Sequence, residues 1–183
     1  MSSHHIIRED QEPALLIMDG QAVSYETVQE LLEWSPTVVV AEQALPDVML
    51  WGIKIDVVIA DASSISALTA SLHDQFPLKL ISCNKREEAL STALYFLIAT
   101  KQKAVNILSV ERLENFESFS SLNLSVLQSG KRWSFIRHGS YEKWLPAGRT
   151  VHVHPLDQQP VVKTYRDGVI VIRKEKGFWV AEE

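Results

Sequence analysis

The stretch "GIKIDVVIADASSIS" (residues 52–66) decides the fold, because it has the form of a buried strand that leads into a helix. Its run "DVVIA" is apolar and rich in β-branched residues, which is typical of a parallel strand covered on both faces. Asp61 follows this run directly, and open α/β sheets bind their ligands beyond the carboxyl ends of such strands. Two interpretations of Asp61 stay open: a carboxylate that binds a ligand, or a cap for the next helix together with Ser63 or Ser64.

The same alternation of strand-like and helix-like segments extends over the first two thirds of the chain. Between the apolar runs, "SYETVQELLEW" begins at Ser24, a favourable N-cap, and "LPDVMLWG" ends at Gly52, a residue typical of helix C-termini. The string "KREEALSTALYFLIATK" (85–101) predicts the longest helix, with one apolar stripe. Because strands alternate with helices, we predict a parallel sheet with right-handed crossovers. The predicted strands are residues 14–18, 37–41, 55–60, 78–82 and 104–108.

From about residue 122 the pattern changes to short segments that are β-branched or alternate between apolar and polar residues. These segments are "LSVLQSG", "RWSFIRH", "TVHVHPL", "VVKTY", "GVIVIRK" and "FWVAE". Clusters of Gly, Pro, Asp and Lys separate these segments, which is typical of an antiparallel sandwich or barrel. We therefore predict an α/β fold in two domains. A parallel-sheet domain with flanking helices covers residues 1–121, and a small antiparallel β-sandwich covers residues 122–183.

The composition excludes several classes of function. Of the 183 residues, 46% are hydrophobic and 22% are charged, as in ordinary soluble domains. The net charge of −5 argues against a nucleic-acid or anionic-membrane partner, and no apolar run approaches the roughly 20 residues of a membrane span. Cys83 is the single cysteine, so an intrachain disulfide is excluded, and "MSSHHIIRED" turns polar too soon for a signal peptide. We expect a cytoplasmic protein.

Five strings, in the order of the chain, resemble the motifs of the thiamin pyrophosphokinase family. They are "AEQA" (41–44), "GIKIDVVIADASS" (52–64), "ISCNKREEAL" (81–90), "ERLEN" (111–115) and "TVHVHPL" (150–156). The resemblance covers about residues 13 to 182 and is closest in the second string. That family couples an α/β ATP-binding domain to a C-terminal β-sandwich, usually as a homodimer with sites between subunits. The resemblance therefore implies the same two-part fold and a homodimer.

The resemblance also implies the ligands and the residues that would bind them. The family transfers pyrophosphate from ATP to thiamin with Mg²⁺, and releases AMP and thiamin diphosphate. By position in the motifs, Asp61 and Glu42 would be the catalytic carboxylates, and Asp61 and Glu87 would hold the metal. The residues that would bind nucleotide or phosphate are Lys85, Arg112, Ser64 and Gln43. Asp56 and His152 would contact the substrate.

Three positions depart from the family motifs in a way that affects the chemistry. Ser63, Ser82 and Lys85 stand where the family has aspartates. Pyrophosphoryl transfer depends on carboxylates that hold Mg²⁺ against the phosphates, and a lysine within a few ångströms would compete for the same carboxylates. We therefore predict a thiamin pyrophosphokinase-like protein whose transfer activity is impaired or lost. Two alternatives stay open: a non-catalytic module that binds a nucleotide or a thiamin compound, and an interaction dimer that keeps only the fold.

Each candidate residue also has an ordinary structural interpretation. Lys85 and Glu87 fit the solvated first turn of a helix, Asp56 fits a turn after Gly52, and Arg112 fits a charged helix start. Glu42 fits a solvated loop. His152 alternates with His154 on one predicted strand, which fits either a pair of metal ligands or two exposed histidines.

Overall fold

A computed structural model of the chain describes residues 12–110, 116–128, 130–154 and 161–183. Among these residues, ten strands form one mixed sheet, two strands form a smaller sheet, and four α-helices flank the larger sheet. The strands of the larger sheet are β1 (Ala14–Ile17), β2 (Val38–Ala41), β3 (Val57–Asp61), β4 (Lys79–Cys83), β5 (Ala104–Leu108), β6 (Asn123–Gln128), β7 (Lys131–Ile136), β9 (Thr150–His154), β10 (Val161–Lys163) and β12 (Phe178–Glu182). The smaller sheet consists of β8 (Ser140–Leu145) and β11 (Gly168–Arg173). The helices are α1 (Tyr25–Leu32), α2 (Leu45–Trp51), α3 (Ile65–Ser71) and α4 (Ala89–Ala99).

One half of the larger sheet is parallel, with the strand order β4-β3-β2-β1-β5-β6. The chain moves outward from β1 to β4 and then returns to the other side of β1. All the carboxyl ends of these strands therefore lie along one edge of the sheet, where α/β proteins bind their ligands. This half confirms the predicted parallel sheet with flanking helices.

The helix signals read from the sequence are present in the structure. The Ser24 side chain accepts a hydrogen bond from the backbone N–H of Thr27 and caps α1, and Gly52 ends α2 with a left-handed φ of 66°. Helix α4 buries a stripe of apolar residues against one face of the sheet: Ala89, Ala93, Leu94 and Leu97. The opposite face is covered by Val28 of α1 and Val48 of α2. Each fully buried Val or Leu side chain among them contributes about 1.5–3 kcal/mol to folding.

The other half of the larger sheet is antiparallel: β6 pairs with β7, β7 with β12, β12 with β9, and β9 with β10. The β8–β11 pair lies over this half and encloses a separate core. That core contains Tyr141, Leu145, Val151, Val153, Phe178 and Val180. The antiparallel strands predicted for the C-terminal part are confirmed. The division at residue 121 stays a prediction; β5 and β6 pair in parallel on either side of it.

Strand β8 was not predicted from the sequence. Its central residues Glu142, Lys143 and Trp144 are all exposed, and only Tyr141 and Leu145 face the core. The apolar alternation that indicates a strand is therefore interrupted. Pairing with β11, along the full length of both strands, holds β8 in place.

Within the described ranges, no helix has the length and apolar character needed to cross a membrane.

Candidate functional site

A cavity of ≈ 420 Å³ lies at the carboxyl ends of β2, β3 and β4, and we call it the carboxyl-edge cavity. Its lining residues are Glu42, Gln43, Ile59, Ala60, Asp61, Ser64, Cys83, Arg86 and Ala89. Glu42, Gln43, Asp61 and Ser64 were candidate site residues from the sequence. They meet here because each follows or ends a parallel strand, and neighbouring parallel strands end at the same edge.

Glu42 and Asp61 are in direct contact. Glu42 begins the short 3-10 helix Glu42–Ala44 immediately after β2, and Asp61 is the last residue of β3. The backbone N–H of Asp61 donates a hydrogen bond of 2.9 Å to Oε2 of Glu42. This bond holds the Glu42 carboxylate beside the end of β3, so two acidic side chains belong to the same cavity wall.

Ser63 donates two hydrogen bonds to the Asp61 carboxylate. Its hydroxyl donates to Oδ1 of Asp61 at 2.6 Å, and its backbone N–H donates to the same oxygen at 2.8 Å. These two bonds, the hydroxyl's first, lower the pKa of Asp61 below its ordinary value. The side chain of Ser64 makes no capping bond to α3, although its backbone N–H donates to the Asp61 carbonyl at 2.9 Å. Asp61 and Ser63 therefore form the turn between β3 and α3.

Gln43 is held from the neighbouring strand. Its side-chain amide donates a hydrogen bond of 3.1 Å to the carbonyl of Met18, just after β1. This bond ties the segment after β2 to the end of β1. The amide of Gln43 therefore has a fixed position at the cavity.

Two residues of the cavity were missed as site candidates. Cys83 is buried next to Asp61 in the β3–β4 register, and its thiol donates to the Ala60 carbonyl at 3.4 Å. Burial first, and then the charge of Asp61, raise the pKa of this thiol. Arg86 lines the cavity as the first residue of the 3-10 helix Arg86–Glu88. The signal for Arg86 was present in the sequence, since two adjacent basic residues, Lys85 and Arg86, follow β4.

Lys85 and Glu87 are exposed and do not line this cavity. Lys85 still has extended backbone angles (φ −144°, ψ 149°), and the 3-10 helix starts only after it. The change of direction at this point brings Arg86 to the cavity in place of its two neighbours. Arg112 lies outside the described residues.

Asp56 and His152 lie away from the carboxyl-edge cavity. Asp56 precedes β3 and is therefore at the opposite end of the strand from Asp61, where its Oδ2 accepts the backbone N–H of Val38 at 2.8 Å. His152 is on β9, and six strands separate β9 from β3 in the described sheet. The structure therefore does not bring these two candidates to the other four within one chain.

The His152 ring is engaged by charged neighbours. Its Nε2 lies 2.9 Å from Nζ of Lys131 and 2.9 Å from Oε2 of Glu183, and these two groups are themselves 2.8 Å apart. The ring of Trp133 makes T-shaped contacts with the rings of both His152 and His154. His152 is thus part of a polar cluster on the antiparallel half of the sheet.

The residues present do not fit a resident metal ion. Within the described ranges, no group of three or more His, Cys, Asp or Glu side chains is placed to hold one. The carboxyl-edge cavity offers Asp61 and Glu42, and each already accepts hydrogen bonds from the protein. Two carboxylates are what Mg²⁺ commonly uses when the rest of its ligands are water and the phosphates of a substrate. These two carboxylates would therefore suit Mg²⁺ only if water and the phosphates of a substrate supplied its other ligands.

Comparison with solved structures shows which proteins share this architecture. Thiamin pyrophosphokinase from Bacillus subtilis matches with a TM-score of 0.57 at 10% identity, over 92% of this chain and 97% of the other. A probable thiamin pyrophosphokinase from Staphylococcus saprophyticus matches with a TM-score of 0.58 at 11% identity and the same coverage. The enzyme from Candida albicans matches with a TM-score of 0.52 at 11% identity, over 95% and 88% of the two chains.

The chain has the thiamin pyrophosphokinase fold. The fold expected from the motif resemblance is thereby confirmed, including its order of a parallel and then an antiparallel part. No protein-family model matches the sequence, and comparison with curated proteins finds no match. At 10–11% identity, the likeness to thiamin pyrophosphokinases is a likeness of fold.

Proposed function

We propose that this chain is a thiamin pyrophosphokinase-like protein that binds a Mg²⁺–nucleotide complex in the carboxyl-edge cavity and transfers pyrophosphate poorly or not at all. The observation that carries the proposal is the contact between Ser63 and Asp61. The serine stands where the family has a second aspartate, and both its hydroxyl and its N–H donate to the carboxylate that remains. The cavity thus lies at the carboxyl edge of the sheet, but the Asp61 carboxylate is hydrogen-bonded within the turn between β3 and α3.

Binding is supported by the set of groups at the cavity. Arg86 supplies a guanidinium that can pair with phosphate oxygens, and Ser64 supplies a hydroxyl. Asp61 and Glu42 would face the metal ion that the nucleotide brings with it. The carboxyl edge of a parallel sheet is where nucleotides bind in α/β folds.

Weak transfer follows from what the cavity lacks. Phosphoryl and pyrophosphoryl transfer is accelerated almost entirely by positioning and by charge stabilisation. In the described part of the chain, the third carboxylate proposed from the sequence, Glu87, does not line the cavity. Two carboxylates, one of them bonded twice to Ser63, give less control over the phosphates than the larger acidic cluster of the family motifs.

The proposed assembly is a homodimer in the cytoplasm. His152 lies far along the sheet from Asp61 in one chain, so a role for His152 in thiamin binding requires the β9 face of a second subunit. Sedimentation equilibrium distinguishes a dimer from the 20.7 kDa monomer. A strictly monomeric protein at micromolar concentration would contradict this part of the proposal.

The test combines ligand binding and turnover. Thermal unfolding is measured alone and with Mg²⁺–ATP, AMP, thiamin or thiamin diphosphate, since a ligand at 100 times its Kd adds about 2.7 kcal/mol and raises Tm by several degrees. We expect a rise with Mg²⁺–ATP that is reduced in Asp61→Asn. The matched control is Asp74→Asn, which makes the same chemical change at a fully exposed side chain outside the cavity.

Turnover is followed as AMP formed from ATP and thiamin. We expect little AMP from the wild-type protein. Rapid AMP formation that Asp61→Asn abolishes would refute the loss of transfer and identify an active enzyme. If no ligand changes Tm, the binding proposal fails and the interaction dimer becomes the better interpretation.

A further inference from the structure

Another cavity, of ≈ 470 Å³, lies between α1 and strands β5, β6 and β7, and we call it the α1 cavity. None of its lining residues lines the carboxyl-edge cavity. The volume falls in the range of small-molecule sites, about 300–1,000 Å³. The residues that determine its chemistry are Glu12, Glu30, Leu31, Trp34, Asn106 and Arg132.

Asn106 is a polar residue in the middle of the sheet. It belongs to β5, pairs in register with Leu15 of β1, and is only 9% exposed. Its Oδ1 accepts a hydrogen bond of 3.0 Å from Nη2 of Arg132 on β7, across the intervening strand β6. Because a guanidinium only donates hydrogen bonds, this contact fixes which amide atom is the oxygen. The other atom, Nδ2, therefore has two N–H groups to donate.

Nδ2 of Asn106 has no acceptor among the described residues. It is not fully enclosed either, because the one fully enclosed polar side-chain atom without a partner in the described part of the chain is Oε1 of Gln102. Nδ2 therefore keeps accessible surface, and the open space beside Asn106 is the α1 cavity. Buried polar groups are nearly always paired in native proteins, so these N–H groups need an acceptor that enters the cavity.

Arg132 indicates that this acceptor is an anion. Arg132 is exposed at the cavity and, apart from its bond to Asn106, has no hydrogen-bond or ion-pair partner within the described ranges. The remaining N–H groups of its guanidinium form a planar fork that matches a carboxylate. Since Nη2 of Arg132 lies 3.0 Å from the Asn106 amide, one carboxylate can accept from both side chains.

The other walls of the cavity favour a ligand that also carries a positive charge. Glu30 belongs to α1 and Glu12 precedes β1, and within the described residues neither makes an ion pair with Arg132. Opposite charges that line one cavity without pairing suit a molecule with both an ammonium and a carboxylate. Leu31 and the 61% exposed ring of Trp34 supply an apolar wall for its side chain.

We infer that the α1 cavity is a second ligand site, which binds a small zwitterion: an α-amino acid with an apolar or aromatic side chain. Its carboxylate accepts hydrogen bonds from Asn106 and Arg132, its ammonium lies at the two glutamates, and its side chain lies against Trp34. This site is independent of the function proposed for the carboxyl edge, because the two cavities share no residue.

The test uses three probes of similar shape. L-phenylalanine carries both charges, 2-phenylethylamine lacks the carboxylate, and 3-phenylpropanoate lacks the ammonium. Each is titrated into the full ¹⁵N-labelled chain and followed by the side-chain NH₂ signals of Asn106, which report directly on a new hydrogen bond at Nδ2. We expect saturable shifts of these signals with L-phenylalanine.

The affinities should differ in a fixed order. L-phenylalanine should bind at least about tenfold more tightly than 2-phenylethylamine, because the lost hydrogen bonds are those to a charged group. It should bind only about threefold more tightly than 3-phenylpropanoate, because an ion pair with exposed glutamates contributes little.

Arg132→Gln removes the guanidinium charge and keeps an amide that can donate to Asn106. In this variant the preference for L-phenylalanine over 2-phenylethylamine should largely disappear. Arg166→Gln makes the same change at an exposed residue outside the cavity and should leave the preference unchanged.

Equal affinity of L-phenylalanine and 2-phenylethylamine for the wild type would overturn the inference. So would unchanged Asn106 side-chain signals at millimolar L-phenylalanine, which would assign these N–H groups to water. Binding of 3-phenylpropanoate as tight as that of L-phenylalanine would overturn the assignment of a zwitterion. Because these comparisons need only the wild type, the test stands even if Arg132→Gln fails to fold.

Discussion

Replacing Asp56 by alanine distinguishes a structural residue from a substrate contact. Asp56 joins the beginnings of three strands: its Oδ2 accepts the Val38 N–H at 2.8 Å, its own N–H donates to the Val38 carbonyl at 3.1 Å, and its carbonyl accepts the Lys79 N–H at 2.8 Å. Alanine keeps the two backbone bonds and removes the first. The N–H of Val38 is then left unpaired at a partly buried position.

The expected loss is about 2 kcal/mol, because an unsatisfied buried donor costs about 1–3 kcal/mol. For a chain of this size each kcal/mol lowers Tm by about 2–4 °C, so Asp56→Ala should unfold about 4–8 °C below the wild type. Asp56→Asn should retain most of the stability, since an amide oxygen can accept the same N–H. Asp74→Ala, at an exposed side chain, should change stability by less than about 0.5 kcal/mol.

The assay is urea unfolding followed by circular dichroism, together with the Mg²⁺–ATP thermal shift on each variant. We expect Asp56→Ala to lose stability and to keep the ligand-induced rise in Tm. We expect Asp61→Asn to keep its stability and to show a reduced ligand-induced rise. If Asp56→Ala unfolds within 1 °C of the wild type but no longer responds to the ligand, the reasoning from hydrogen bonds is refuted. Asp56 would then contact substrate, as the motif resemblance implied.

Three further predictions concern stability and are checked by thermal unfolding. Gly139→Ala should cost at least about 1 kcal/mol more than Gly148→Ala, because both glycines have positive φ but only at Gly139 would a Cβ meet a backbone carbonyl oxygen. Equal costs would show that the chain relaxes there. Glu183→Gln should lower Tm at neutral pH. The Lys131 hydrogen bond holds the folded pKa of Glu183 at about 2, below its ordinary value, so its stabilising effect is present above about pH 5 and disappears as the pH falls toward 2. A difference in Tm that persists at low pH would contradict this assignment. Lys101→Gly should raise stability by about 0.5–1 kcal/mol, because lysine is strained at a φ of 63°, and a loss would show that its side chain contributes more than the strain.

Much of the fold could be predicted from the sequence because its signals are local. A buried parallel strand is a continuous apolar run, and the five runs between residues 14 and 108 correspond to β1 to β5. The caps at Ser24 and Gly52 depend on a few neighbouring residues. Strand β8 was missed because most of its side chains face solvent, and its pairing partner is more than twenty residues away in the chain.

The site was predictable only in part, because local signals show which residues end a strand but not which side chains face the cavity. Glu42, Gln43, Asp61 and Ser64 follow or end parallel strands, and the topology of such sheets brings those positions together. Which basic residue faces the cavity depends on one backbone bend, and this bend selects Arg86 over Lys85.

The amino-acid sequence by itself therefore determined strands β1 to β5, the helices between them and the acidic carboxyl edge, since hydrophobic periodicity and capping act over a few residues. Only the tertiary structure decided how the strands pair across the two halves. It also decided that Asp56 holds the starts of three strands and that, among the residues the structure describes, Oε1 of Gln102 is buried without a hydrogen-bond partner. Those features arise from packing between segments far apart in the chain, and no local pattern of residues encodes them.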